Sequence, residues 1–111
     1  FLLQVKTALR VSCMRHTALR NRSVRSVAVC GGSGSFLLPE ALRAGVDVFV
    51  TADFKYHEFF VSNSRLVVAD IGHYESEQFT IDLLFDILSQ KFPTFAVLKT
   101  GVKTNPVHYF L

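Results

Sequence analysis

Apolar positions recur along the chain with two different periods, and together they predict strands and helices in turn. Short apolar, β-branched runs near residues 27, 48, 67 and 97 are typical of buried strands. This alternation predicts an α/β fold, with a mostly parallel or mixed sheet covered by helices on both faces. The stretches with helical spacing lie at residues 1–10, 37–43, 54–61 and 75–90.

The bounds of several elements are predicted from local chemistry. The run Ser26–Cys30 is expected to be a strand that ends at a glycine-rich turn. Asp53 is expected to cap the helix that follows it. Residues 75–90 are predicted to form the longest helix, and its buried face comprises Phe79, Leu83, Leu84, Ile87 and Leu88.

Extended pieces are also expected at residues 12–17, 94–100 and 107–111, with a turn at Asn105-Pro106 before the last of them. A chain of 111 residues, half of it hydrophobic, has the length and composition of one compact domain. We therefore expect a single α/β domain over residues 1–111.

Charge is distributed unevenly along the chain. Residues 1–26 hold six of the twelve basic residues and none of the nine acidic ones. An Arg-rich, acid-free start occurs in transit peptides and in nucleic-acid contacts. It also occurs where the charged face of a first helix and strand meets solvent or another part of the protein. We favour this last interpretation, so nucleic acid is not an expected partner.

The two cysteines, Cys13 and Cys30, form neither a CxxC pair nor a disulfide framework. We therefore expect a reducing compartment, the cytoplasm. No apolar stretch of the sequence approaches the length that spans a membrane. A membrane is accordingly not an expected partner.

Polar residues follow the predicted strands, and in a parallel sheet such strand ends meet at the carboxyl edge. Among them, His73 and Glu77 are four residues apart, which places them about 40° apart on one helical face. An imidazole and a carboxylate at this spacing can reach one divalent cation. The alternative is an exposed His–Glu pair at a helix start, where Glu75 and Glu77 complement the helix dipole.

Two further groups fall at the same edge. Asp53 and His57 are again four residues apart. They are either a capping carboxylate with an exposed imidazole, or a pair that contacts the substrate or supports a ligand. The turn formed by Gly31, Gly32, Ser33 and Gly34 either binds an anion through its backbone amides or needs glycine only for its dihedral angles.

Four segments, in this order and spacing, resemble the GTP cyclohydrolase 1 type 2 homologues, also called the NIF three-like proteins. The resemblance implies two related α/β halves with a pair of divalent metal ions in the cleft between them. It implies that His73 and Glu77 are metal ligands and that Asp53, His57 and Glu75 lie near the pocket. Ala52 stands where the family usually has Gly. The four segments are Val27–Gly34, Asp47–Glu58, Asp70–Glu77 and Thr104–Pro106.

The resemblance also implies that the metal site is incomplete. The amino half of the family supplies a paired-histidine segment and an acidic ligand, whereas this chain has no adjacent histidines. We therefore expect the carboxyl half of a two-lobed protein. Its expected partners are a missing amino half or other subunits, and its expected assembly is a hexameric ring.

The leading hypothesis is a metal-dependent, hydrolase-like enzyme that acts on a phosphorylated or nucleotide-like substrate. The alternative is a non-catalytic interaction or regulatory module that retains a degenerate metal site.

Overall fold

Four strands form one mixed sheet. The structure, a computed structural model, describes residues 1–62 and 65–110. The strands are β1 (Arg15–His16), β2 (Val27–Ser33), β3 (Val48–Ala52) and β4 (Val67–Asp70). Their order in the sheet is β1-β4-β3-β2; β2, β3 and β4 are parallel, and β1 is antiparallel to β4. The predicted α/β fold with a mixed sheet is confirmed.

Helix α1 (Leu2–Ala8) and helix α2 (Leu38–Ala44) cover opposite faces of this sheet. Side chains alternate between the two faces along β3, where every residue is buried. Val48 and Val50 belong to the apolar cluster against which α1 packs, and Phe49 belongs to the cluster that contains residues of α2. The prediction of helices on both faces is therefore confirmed.

The bounds of helix α2 follow from its sequence. A 3₁₀ turn over Ser35–Leu37 leads into it. Pro39 lies in its first turn, where the missing N–H breaks no helical hydrogen bond. Gly45 ends the helix in the left-handed conformation, with φ of 67°.

The helix predicted over residues 75–90 is divided into α3 (His73–Glu77) and α4 (Thr80–Lys91). The buried face expected for it is wrong for this chain, since no residue of α4 is buried and Leu83 and Leu84 are 59% and 52% exposed. The described elements leave that side of α4 uncovered. Every helix within residues 1–62 and 65–110 is too short or too polar to cross a lipid bilayer.

The strand predicted over residues 94–100 does not form. The described chain from Thr94 to Phe110 contains no strand, and Phe95 and Leu98 are 74% and 88% exposed. A short apolar run suits a strand, but a strand is stable only when a neighbour pairs with it, and β1 pairs with β4 instead. The extended piece expected at 107–111 is likewise absent from the described residues, and Leu111 lies outside them.

Some of the basic residues at the start of the chain bond to an acidic residue of the sheet. The Arg22 guanidinium pairs with Asp47, which is only 8% exposed. Backbone N–H groups of Arg25 and Ser26 donate to the same carboxylate at 2.9 and 3.1 Å. These bonds, the one from Arg25 above all, lower the pKa of Asp47 from 3.8 to about 2. This part of the basic segment therefore stabilises the fold.

Candidate metal site at the carboxyl edge of the sheet

The carboxyl ends of three parallel strands bring three polar side chains together. Ser33 ends β2, Asp53 follows β3, and His73 begins α3 just after β4. The Ser33 hydroxyl donates a hydrogen bond to Asp53 Oδ2, and His73 Nδ1 lies 2.6 Å from the same oxygen. The predicted meeting of polar groups at this edge is confirmed for these three residues.

Asp53 does not cap a helix, so that prediction is wrong. Its carboxylate is bonded to Ser33 and His73, and a 3₁₀ helix begins three residues later, over Tyr56–Ser62. Asp53 also has a positive φ of 59°, a left-handed conformation that few residues other than glycine adopt. Aspartate enters this region more readily than most, because its short polar side chain can bond locally.

His73 and Glu77 lie one turn apart on α3, as their spacing predicted. His73 Nε2 is 3.3 Å from Glu77 Oε2, and the two side chains are 52% and 51% exposed. The hydrogen bond with Asp53 is the main cause that raises the pKa of His73. The pKa of Asp53 is lowered, first by the Ser33 hydroxyl and then by His73. The Nδ1 atom of His73 is thus hydrogen-bonded to Asp53, and its Nε2 atom faces Glu77.

The glycines of β2 allow its backbone to approach these two side chains. The strand continues through Ser33, with an irregular register after Val29, rather than ending at Cys30 as predicted. Gly32 has φ of 63°, and a Cβ atom there would lie 2.6 Å from Glu77 Oε1 and 3.2 Å from His73 Cε1. This close approach accounts for glycine at position 32. Anion binding by Gly31, Gly32, Ser33 and Gly34 stays a prediction.

Ser76 joins α3 to β2, a role that was not predicted from its sequence position. Its hydroxyl accepts a hydrogen bond from the Gly32 N–H at 2.7 Å and donates one to the carbonyl of His73 at 2.7 Å. The first bond joins residues that are 44 positions apart, and the second depends on the helix geometry. The one local pointer to this role is the position of Ser76 between Glu75 and Glu77.

A cavity of about 610 Å³ opens beside the His–Glu pair, and His73, Glu77, Asp53 and Glu75 are among its lining residues. Its far wall comes from the end of the described chain, including Asn105, Pro106 and Tyr109. This volume is in the range of small-molecule sites.

Glu75 and His57 differ in their relation to this cavity. Glu75 is 8% exposed and lies against Gly72, beside the Tyr109 hydroxyl. Burial, followed by the charge of Glu75, raises the pKa of Tyr109. His57 lies on the 3₁₀ helix with its ring 5.2 Å from that of Tyr56, and it is not among the described residues that line the cavity.

The donor atoms suit a metal ion but do not complete its coordination. An imidazole nitrogen and a carboxylate oxygen are common ligands of Zn²⁺ and of other first-row divalent ions. Within residues 1–62 and 65–110, however, no group of three or more His, Cys, Asp or Glu side chains is arranged to hold a metal. His73 and Glu77 alone could therefore supply two of the ligands that such an ion needs.

Relatives in sequence match nearly the whole chain. A GTP cyclohydrolase 1 type 2 homolog of Campylobacter jejuni is 29% identical over 107 residues, and one of Staphylococcus aureus is 31% identical over 114 residues. These matches cover 96% and 98% of this chain but only 42% and 31% of the two relatives.

Solved structures also match nearly the whole of this chain, while this chain covers only about a third of each of them. The crystal structure of a Staphylococcus aureus protein matches with a TM-score of 0.79 at 26% identity, over 97% of this chain and 36% of that one. A Bacillus cereus protein related to NIF3 matches with a TM-score of 0.77 at 28% identity, over 97% of this chain and 31% of that one. The sequence profile of one family matches residues 1–106. The chain therefore belongs to the Duf34/NIF3 (NGG1p interacting factor 3) family.

Proposed function

We propose that this chain binds a divalent metal ion and that His73 and Glu77 are two of its ligands. The observation that carries the proposal is the placement of His73 Nε2 and Glu77 Oε2, 3.3 Å apart and about half exposed, while Asp53 occupies the other imidazole nitrogen. Such a pair can close on one cation without moving the backbone. The spacing and the donor types suit zinc or another first-row metal.

The remaining ligands would come from outside this chain. The chain spans between 31% and 42% of the length of the two relatives above. We therefore propose that the part of the protein not spanned here, or another subunit of a homo-oligomer, completes a site for two metal ions. The exposed apolar side of α4, with Leu83 and Leu84, is consistent with a chain that packs against more protein.

The proposed activity is that of a metal-dependent hydrolase acting on a phosphorylated or nucleotide-like substrate, in the cytoplasm. A bound metal of this kind activates water and polarises a phosphoryl or carbonyl oxygen. The chain's own residues would orient one ligand through Asp53 and enclose the substrate in the cavity that Glu75 and Tyr109 line. The glycine-rich end of β2, Gly31–Gly34, is proposed to contact an anionic part of that substrate.

A non-catalytic interaction or regulatory module is the second candidate. The incomplete ligand set within the described residues and the exposed apolar side of α4 favour it. The two candidates differ in turnover: an enzyme hydrolyses members of a phosphoester and nucleotide panel only when a divalent metal is present. A module releases no product under any metal condition.

The metal claim is tested by metal analysis of the full-length protein after dialysis against a divalent metal. We expect His73→Ala and Glu77→Ala to lower the bound metal per chain. His57→Ala is the matched control, because His57 is also an exposed histidine but packs against Tyr56 and is not among the described residues that line the cavity. Metal content that is unchanged in both ligand variants would show that the proposal is wrong.

A further inference from the structure

Asp53 combines a left-handed backbone with a carboxylate that bonds to two distant side chains. Its positive φ of 59° strains residues other than glycine, although aspartate tolerates it better than most. Its Oδ2 atom accepts hydrogen bonds from two side chains that lie 20 residues away in opposite directions along the chain, Ser33 and His73.

The geometry determines which nitrogen of a neutral His73 carries the proton. A carboxylate only accepts hydrogen bonds, and a neutral imidazole has one N–H and one bare nitrogen. Both nitrogens face a carboxylate oxygen, but Asp53 Oδ2 lies 2.6 Å from Nδ1 whereas Glu77 Oε2 lies 3.3 Å from Nε2, so the shorter contact favours the proton on Nδ1. The bare lone pair is then on Nε2, which is the nitrogen beside Glu77.

We propose that Asp53 is a positioning residue that holds His73 in the tautomer with a free Nε2, and that Ser33 in turn fixes the Asp53 carboxylate. The part of this inference that concerns metal rests on the proposed function. The tautomer itself does not, since it follows from contacts within the chain. A carboxylate that orients a ligating histidine in this way commonly changes metal affinity by about 10–100-fold when it is removed.

The test uses three variants of the full-length protein. Asp53→Gly removes the carboxylate and also relieves the backbone, since glycine adopts a positive φ without strain. Asp53→Asn keeps a residue that tolerates the left-handed region, but its amide can donate as well as accept a hydrogen bond, so it no longer selects one tautomer. Ser33→Ala removes only the support of the carboxylate.

The first measurement is the tautomer of His73 in the metal-free protein, from ¹⁵N chemical shifts of the imidazole at a pH where the ring is neutral. We expect the Nδ1–H form in the wild type and a shift toward the Nε2–H form in both Asp53→Gly and Asp53→Asn, because neither variant keeps a side chain that only accepts. The signals of His57 in the same spectra are the internal control and should not change. A wild-type His73 protonated on Nε2, or a tautomer unaffected by Asp53→Gly, would overturn the inference.

The second measurement is the affinity for a divalent cation, Zn²⁺ or Mn²⁺, by competition with a chelating dye. Asp53→Gly is expected to weaken it by about 10–100-fold, and Ser33→Ala by less. If the wild type binds no metal but shows the predicted tautomer shift, the proposed function fails and the positioning role stands. If metal binds through His73 with the same affinity in Asp53→Gly, the positioning role fails and the metal site stands.

Discussion

The two ends of strand β3 each carry an acidic residue, and the two residues do different things. Asp47, before the strand, is 8% exposed and is bonded to backbone N–H groups of Arg25 and Ser26. Asp53, after the strand, has a side chain that is 45% exposed, and within residues 1–62 and 65–110 it is bonded to the side chains of Ser33 and His73.

The difference separates stability from function along a single strand. A buried carboxylate that satisfies backbone donors holds the chain together, because unpaired buried N–H groups are costly. A half-exposed carboxylate on a strained backbone contributes little to the stability of the fold, but it can orient the side chains of a binding site. We therefore expect changes at the amino end to affect unfolding and changes at the carboxyl end to affect binding.

The largest effect on stability is expected in the middle of β3, because the side chains buried there form the core that supports both ends of the strand. Phe49 is 2% exposed, and Phe49→Ala should lower the free energy of unfolding by about 3–5 kcal/mol. Chemical denaturation measures this change. Phe36→Ala is the matched control, since Phe36 is 72% exposed and should change stability by no more than about 0.5 kcal/mol.

At the amino end, Asp47→Asn should lower stability at neutral pH and make it less sensitive to acid. The pKa of Asp47 is lowered from 3.8 to about 2, so its contribution is complete above about pH 4. That contribution is lost as the pH falls through this window toward 2. The free energies of unfolding of wild type and variant should therefore differ at neutral pH and approach each other as the pH falls toward 2. An equal gap at both pH values, or a comparable effect of the exposed control Asp86→Asn, would contradict this account.

At the carboxyl end, Gly32→Ala should cost about 1–3 kcal/mol through its positive φ. It should also weaken metal binding, because the new methyl group meets the Glu77 carboxylate at 2.6 Å. Gly101→Ala is the control, as a Cβ there would meet no atom within 4 Å. Unfolding and metal titration of both variants measure the two effects, and equal metal affinity in both would count against a close contact at the site.

The smallest effect on stability is expected for Asp53→Gly, less than about 1 kcal/mol, because lost hydrogen bonds and relieved strain oppose each other. Thermal unfolding of the metal-free protein measures it. A loss as large as that of Phe49→Ala would mean that Asp53 is a structural residue like Asp47, and the comparison between the two ends would not hold.

The features predicted correctly from the sequence depend on period and spacing. Strand ends in a parallel sheet meet at one edge, so Ser33, Asp53 and His73 could be placed together before their contacts were known. In the same way, the separation of four residues placed His73 and Glu77 on one side of a helix. Both rules are geometric and need no knowledge of other parts of the protein.

The features that were missed depend on distant partners. Asp53 has the sequence signature of a helix cap, but its carboxylate bonds to residues 20 positions away, and a local rule does not see them. The helical spacing at residues 80–91 and the apolar run at residues 94–100 suit a helix and a strand. Neither pattern shows which part of the protein covers the helix or pairs with the strand. In this chain the described residues leave both of them exposed.

The most direct test of a metal site at His73 and Glu77 is an anomalous-scattering experiment on crystals of the full-length protein soaked in Zn²⁺ or Mn²⁺. The account predicts an anomalous peak about 2.0–2.2 Å from His73 Nε2 and from a Glu77 carboxylate oxygen, with Nδ1 still bonded to Asp53. A peak on the Nδ1 side, or no peak at these two residues in fully soaked crystals, would contradict it.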